Sequence, residues 1–100
     1  MEYVRKEEGN SITLIPQGDL KTADAKEFEE KMLGQIKEGV KLTVDLSSVG
    51  YICSSGLRAL LAAQQAVDEK DEAELVLTNV GEEVMSVLSF TGFGNILTII

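Results

Sequence analysis

The chain contains no histidine and only one cysteine among its 100 residues. Without an imidazole it lacks the commonest general base and the commonest metal ligand at neutral pH. Cys53 has no partner for an internal disulfide, and nothing else in the chain points to an oxidising compartment. There is no long apolar run able to span a bilayer. The start, MEYVRKEEGN, has neither the basic n-region nor the apolar h-region of a secretory signal. A soluble, cytoplasmic protein without membrane insertion is expected. Positive charge is scarce too: 9 scattered Lys and Arg face 17 Asp and Glu, for a net charge of -8. Such a surface repels phosphate backbones, so no direct nucleic-acid partner is expected.

The size and the 44% hydrophobic content predict a single domain over residues 1–100. Residues 2–7 and 11–17 read as two strands joined through EGNS, an N-terminal hairpin, with Pro16 near a strand end or sheet edge. From Thr22 the period changes. Ala25, Phe28, Met32 and Ile36 share one face and Lys26, Glu29, Glu30 and Lys37 the other, which predicts a helix over 22–38. Thr22 is the expected N-cap, with Asp24 in the first turn, and Gly39 is expected to end the helix in a left-handed conformation. Val40, Leu42, Val44 and Leu46 alternate as a strand. A helix over 54–70 carries Leu57, Leu60, Leu61 and Val67, and LVLTNV from Leu75 reads as a buried strand. Val84, Val87 and Leu88 mark a third helix, broken by TGFGN before a last strand at 96–100. The order ββαβαβαβ predicts a small α/β layered domain, its mixed sheet mostly parallel with one antiparallel hairpin pairing.

The segment VGYICSSGLRALLAAQQ, residues 49–65, sets Cys53, Ser54 and Ser55 just before a helix at the carboxyl end of a strand, where α/β domains gather their chemistry. Three readings compete: a nucleophile, a modification site, and a helix cap. The nucleophile elbow G-x-S-x-G is not matched at either serine, and no histidine can activate them. Phosphatase loops place a thiolate before a phosphate-cradling turn, with an arginine that would fall at position 59. That position is alanine, and the arginine is Arg58. No G-x-x-x-x-G-K-[ST] loop is present, and the acidic residues of KEFEEK are explained by i, i+4 pairing with lysines, so no cofactor and no metal are expected. As caps, one serine would close the helix and the other fill its first turn, Ser55 being the better suited to the cap. Gly56 is expected to let a partner or backbone approach closely. Asp45, with Ser47, is read as structural support, an acceptor at the strand end.

VDLSSVGYICSSGLRALL resembles the signature of STAS domains, the sulfate transporter and anti-sigma factor antagonist family. Asp45, Leu46, Ser47, Tyr51, Ile52, Ser54, Ser55, Gly56 and Leu57 all fall in its pattern. GDL at Gly18–Leu20 with the following TADA, and FTGF at Phe90–Phe93, are similar to two further landmarks of the family, and its element order is the one read here. The family often has Asp where this chain has Cys53, and a second Asp where it has Lys21. Its usual final helix has no counterpart before Ile100. The resemblance implies a bacterial anti-sigma factor antagonist, with Ser54 as the residue phosphorylated by a partner anti-sigma factor that is itself a serine kinase, and a separate phosphatase that restores it. It implies a partner-binding region of Cys53, Ser54, Ser55, Gly56, Arg58 and Lys21, and no catalytic residue in the chain itself. The family also contains soluble subunits that dock on membrane transport assemblies without phosphorylation, which is the alternative.

A phosphate on Ser54 would add about -1.5 to -2 charge at a helix N-terminus, where an anion is favoured by ~0.3–1 kcal/mol. The fold should therefore survive modification. Driving a binding equilibrium from 1:99 to 99:1 needs ~5.5 kcal/mol, far more than that local effect. Release must arise in the interface, which places Ser54 inside the contact surface.

Overall fold

The hairpin expected at the N-terminus forms from β1 (Glu2–Glu8) and β2 (Ser11–Gln17), paired antiparallel with Glu8 opposite Ser11. The computed structural model describes residues 1–100. After the hairpin come α1 (Ala25–Leu33), β3 (Lys41–Asp45), α2 (Ser54–Asp68), β4 (Glu74–Thr78), α3 (Glu82–Thr91) and β5 (Thr98–Ile99). The strands form one five-stranded sheet in the order β1-β2-β3-β4-β5, and every pair after the hairpin is parallel. Each helix is thus a crossover that moves the chain one position along the sheet.

Register decides where the core lies. Ile12, Leu42 and Leu75 sit side by side across β2, β3 and β4, and so do Leu14, Val44 and Leu77. These two rows point to one face, because side chains alternate along a strand. They form one buried cluster with Phe28 and Met32 of α1, Leu57, Leu60, Ala63 and Val67 of α2, and Val84 and Leu88 of α3. The opposite face carries the row Thr13, Thr43, Val76 and Thr98, a β-branched surface that suits a pleated sheet. Pro16 lies past Leu14, the last residue of β2 that pairs with β3, so its missing N–H interrupts no bond to that strand.

The first helix departs from expectation at both ends. It is led by a 3-10 turn over Thr22–Asp24, in which Thr22 is not the cap. The flanking extended residue is Lys21, whose N–H donates to the Asp24 carboxylate at 3.2 Å. α1 then stops at Leu33 rather than residue 38, because Gly34, a poor helix residue, is followed by tight i−3 bonds from Gln35 to Met32 and Ile36 to Leu33. Ile36 still packs against the core, but from a turn. Gly39 does take a positive φ of 77°, and its N–H donates to Asp71 O at 2.9 Å. It shapes the entry to β3 and not the end of α1. β5 is shorter than the strand expected at 96–100, and α2 ends at Asp68 rather than residue 70.

Tyr3 of β1 packs at the rim of the core under α1, with the Lys31 ammonium 5.7 Å from its ring centre. Its hydroxyl is buried without a hydrogen-bond partner. Burial, with the carboxylates of Glu27 and Asp24 nearby, pushes its pKa up to about 12. The unfolded chain therefore ionises first, so this part of the stability is complete below pH 10.0 and is lost as pH rises toward about 12. Tyr3→Phe should be at least as stable as wild type at pH 7, since it removes an unsatisfied hydroxyl. The variant should also lose less stability than wild type between pH 10 and 12. Urea unfolding across that range checks both, and a neutral-pH loss above ~1 kcal/mol would refute the first.

Candidate functional site

β2 and β3 are neighbours and parallel, so the loops leaving their carboxyl ends, 18–21 and 46–53, emerge side by side. They are joined. Leu20 N–H donates to Tyr51 O at 2.8 Å and Cys53 N–H to Leu20 O at 2.9 Å, an isolated parallel bridge between Leu20 and Ile52. Gly50 N–H donates to the Asp19 carboxylate at 3.1 Å. Leu20 and Ile52 are both buried, and their bridge holds the polypeptide rigidly up to the first residue of α2.

Neither serine caps that helix. The cap is Cys53, in extended conformation at φ -82° and ψ 170°, whose Sγ accepts the Gly56 N–H at 3.3 Å. α2 begins at Ser54, so the residue before it holds the only position from which a side chain can turn back onto the first-turn N–H groups. Ser54 is left exposed with its hydroxyl free of backbone duty. Its Oγ accepts a long hydrogen bond, 3.4 Å, from Nη2 of Arg58 one turn along the exposed side of α2. Ser55 is half-buried and lines a cleft of about 330 Å³ between α1 and α2, together with Thr22, Ala25, Lys26, Glu29 and Arg58.

The close approach at Gly56 is internal. Gly56 is buried, and a Cβ there would lie 2.8 Å from Ile52 Cγ1, 3.3 Å from Cδ1 and 3.7 Å from Leu20 Cβ. Cys53, only 7% exposed, likewise faces inward. Of the expected partner-binding residues, the structure leaves Ser54, Arg58 and Lys21 exposed, Ser55 half-covered, and Cys53 and Gly56 as the support beneath. Lys21 follows Leu20 as Cys53 follows Ile52, so the bridge sets Lys21 beside the start of α2.

Asp45 ends β3, and its Oδ1 accepts the Ser47 N–H at 2.9 Å. Burial works to raise its pKa. Hydrogen bonds from the Ser47 backbone and side chain and from the Asn79 side chain, with the charge of Lys6, outweigh it and hold the carboxyl below its ordinary value. Three contributors escaped sequence reading: Asp19, Asn79 and the cleft residue Lys26. GDL marked Asp19 only as part of a landmark, and no local pattern says that its carboxylate holds Gly50, a residue 31 positions on. On the other side of the loop, Tyr51 is 52% exposed and borders a small crevice of about 60 Å³ formed with Ile52, Glu83, Val84 and Val87.

The family model described as "Mlab, STAS domain" matches residues 4–98. The chain belongs to the STAS domain family. Its relatives include the anti-sigma-B factor antagonist of Listeria monocytogenes, 26% identical over 97 residues, which spans 96% of this chain and 84% of that protein. Among solved structures, this STAS domain resembles protein TM1081 of Thermotoga maritima with a TM-score of 0.85 at 20% identity, covering 97% of this chain and 84% of that one. It also resembles the Bacillus protein SpoIIAA in an unphosphorylated and a phosphorylated form, with TM-scores of 0.72 and 0.71 at 12% and 13% identity. Those alignments cover 99% of this chain and 87% and 91% of the two SpoIIAA chains. At such identities the structures establish the fold, a five-stranded mixed sheet with three crossover helices.

Two substitutions test how the STAS loop is held. Gly56→Ala gains up to ~1 kcal/mol of helix propensity but forces a methyl against a buried, bridged Ile52, an overpacking cost of ~1–3 kcal/mol. A net loss of about 1 kcal/mol in urea unfolding is expected, and a gain in stability would show that α2 can shift. Because the Asp45 pKa is lowered in the fold, its charge stabilises above its ordinary value of 3.8, and that contribution disappears as pH falls through the lower folded value. The stability gap between wild type and Asp45→Asn should therefore be present at pH 6 and close below pH 3.8; a gap that widens in acid would contradict this.

Proposed function

We propose that this STAS domain is an anti-sigma factor antagonist, a cytoplasmic regulatory binding protein and not an enzyme, which binds an anti-sigma factor when Ser54 is unmodified and is released when Ser54 is phosphorylated. The observation that carries this reading is the division of labour at the start of α2. Cys53 takes the capping role, so the Ser54 hydroxyl stands exposed at a helix end with no backbone group depending on it. The names of the relatives support the antagonist role, and SpoIIAA is a protein of this fold with a phosphorylated form.

The transfer needs nothing from this chain but the acceptor. Ser54 Oγ attacks the terminal phosphorus of a nucleoside triphosphate held by the anti-sigma factor. The new O–P bond forms as the bond to the departing diphosphate breaks, and the hydroxyl proton passes to a base on that partner. A phosphatase reverses the change by hydrolysis. In the modified state, two negative charges stand where the partner surface must come into contact and lose water, a conflict far costlier than the helix end can offset.

Co-purification from the native cell with wild type, Ser54→Ala and Ser54→Asp is the test. Wild type and Ser54→Ala should retain an ATP-binding, kinase-like protein, and Ser54→Asp should bind it at least ~10-fold more weakly, about 1.4 kcal/mol. Equal binding by Ser54→Asp would end the switch reading. Recovery of transporter components in place of a kinase-like protein would replace it with that of a docking subunit.

A further inference from the structure

We propose that Arg58 is the residue that receives the phosphoryl group on Ser54 and holds it against α2. This rests on Ser54 being the modified residue, as proposed above. Arg58 lies one turn beyond Ser54, where side chains four apart meet, and its Nη2 is already 3.4 Å from Ser54 Oγ. That distance is long for a hydrogen bond, so the neutral hydroxyl holds the guanidinium only loosely. A phosphoryl group changes the match. It supplies three strong acceptor oxygens and nearly two negative charges, which suit the planar fork of an arginine better than the point charge of a lysine.

The surroundings favour this course. Arg58 is exposed, so it can turn toward the new group without disturbing the core. It also lines the cleft between α1 and α2 with Lys26 and Glu29, leaving open space next to it. Lys26 has no direct contact with Ser54, whereas Arg58 does, which singles out Arg58 as the positioning residue. One event then alters the surface twice. The phosphate appears where Ser54 was, and the guanidinium is turned away from any partner and engaged with it.

Phosphoserine installed at position 54 during translation allows a test that needs no kinase. The pH midpoint of its second ionisation is read by phosphorus NMR in full-length protein with Arg58 intact and with Arg58→Gln. Arg58 stabilises the dianion, so its loss should raise the midpoint by roughly 0.3–1 pH unit, with Arg58→Lys in between. The Arg58 side-chain nitrogen signals should shift on phosphorylation. An unchanged midpoint in Arg58→Gln, or a larger rise in Lys26→Gln than in Arg58→Gln, would overturn the assignment. Failure here leaves the antagonist reading intact, and failure to find a kinase partner leaves this measurement intact, so the two are separable.

Discussion

Two backbone hydrogen bonds, from Leu20 to Tyr51 and from Cys53 to Leu20, set the position of everything around Ser54. They join loops that come from adjacent strands, and they are short, 2.8 and 2.9 Å, with the Leu20 and Cys53 side chains buried and that of Tyr51 exposed. Loops usually run over the surface and move with their solvent. This pair behaves as an extension of the sheet, one residue pair deep, beyond the carboxyl ends of β2 and β3. The Asp19 carboxylate on Gly50 adds a third tie. α2 therefore starts from a fixed point, and its exposed first residue has a defined place.

The same constraint explains the unusual chemistry of the segment. With Ile52 pinned, α2 can approach only if position 56 has no side chain, which is met by Gly56. With Gly56 close, its N–H is within reach of the side chain at 53, and a sulfur there accepts it. An isolated thiol near two serines suggests reactivity when seen as text. In the fold it is a small buried apolar group with a weak acceptor atom, and its presence frees the hydroxyl beside it. These residues make an accessible hydroxyl on a fixed mount.

The region around Ser54 is chemically two-sided. Lys26, Glu29 and Arg58 lie toward α1 in the cleft, and Tyr51 with Glu83 and Val87 lies toward α3. In a chain of net charge -8, the Ser54 hydroxyl has a cation, Arg58, as its hydrogen-bond partner, and the cleft beside it holds Lys26 and Glu29.

Much of this was readable in one dimension. The element order, the hairpin, the core rows and the serine at the start of α2 follow from alternation, helical periodicity and the signature from Asp45 to Leu57, because each of these is encoded within a few residues. What escaped was every relation between distant segments. The end of α1 was misplaced because Ile36 keeps the helical spacing while packing from a turn, and the demand that Val40 enter β3 is not local. Composition favours an oxygen acceptor at a cap and so points to a serine, yet with α2 starting at Ser54 the capping position is 53, and the Cys53 sulfur fills it. Asp19 holding Gly50, Ile52 requiring Gly56, and Lys26 and Arg58 sharing a cleft exist only once β2 and β3 lie side by side. Sequence by itself determined which elements form and which family they compose, since local periods and a contiguous motif suffice for that. Tertiary structure alone decided which side chains face outward at the start of α2, since exposure depends on what the rest of the chain covers.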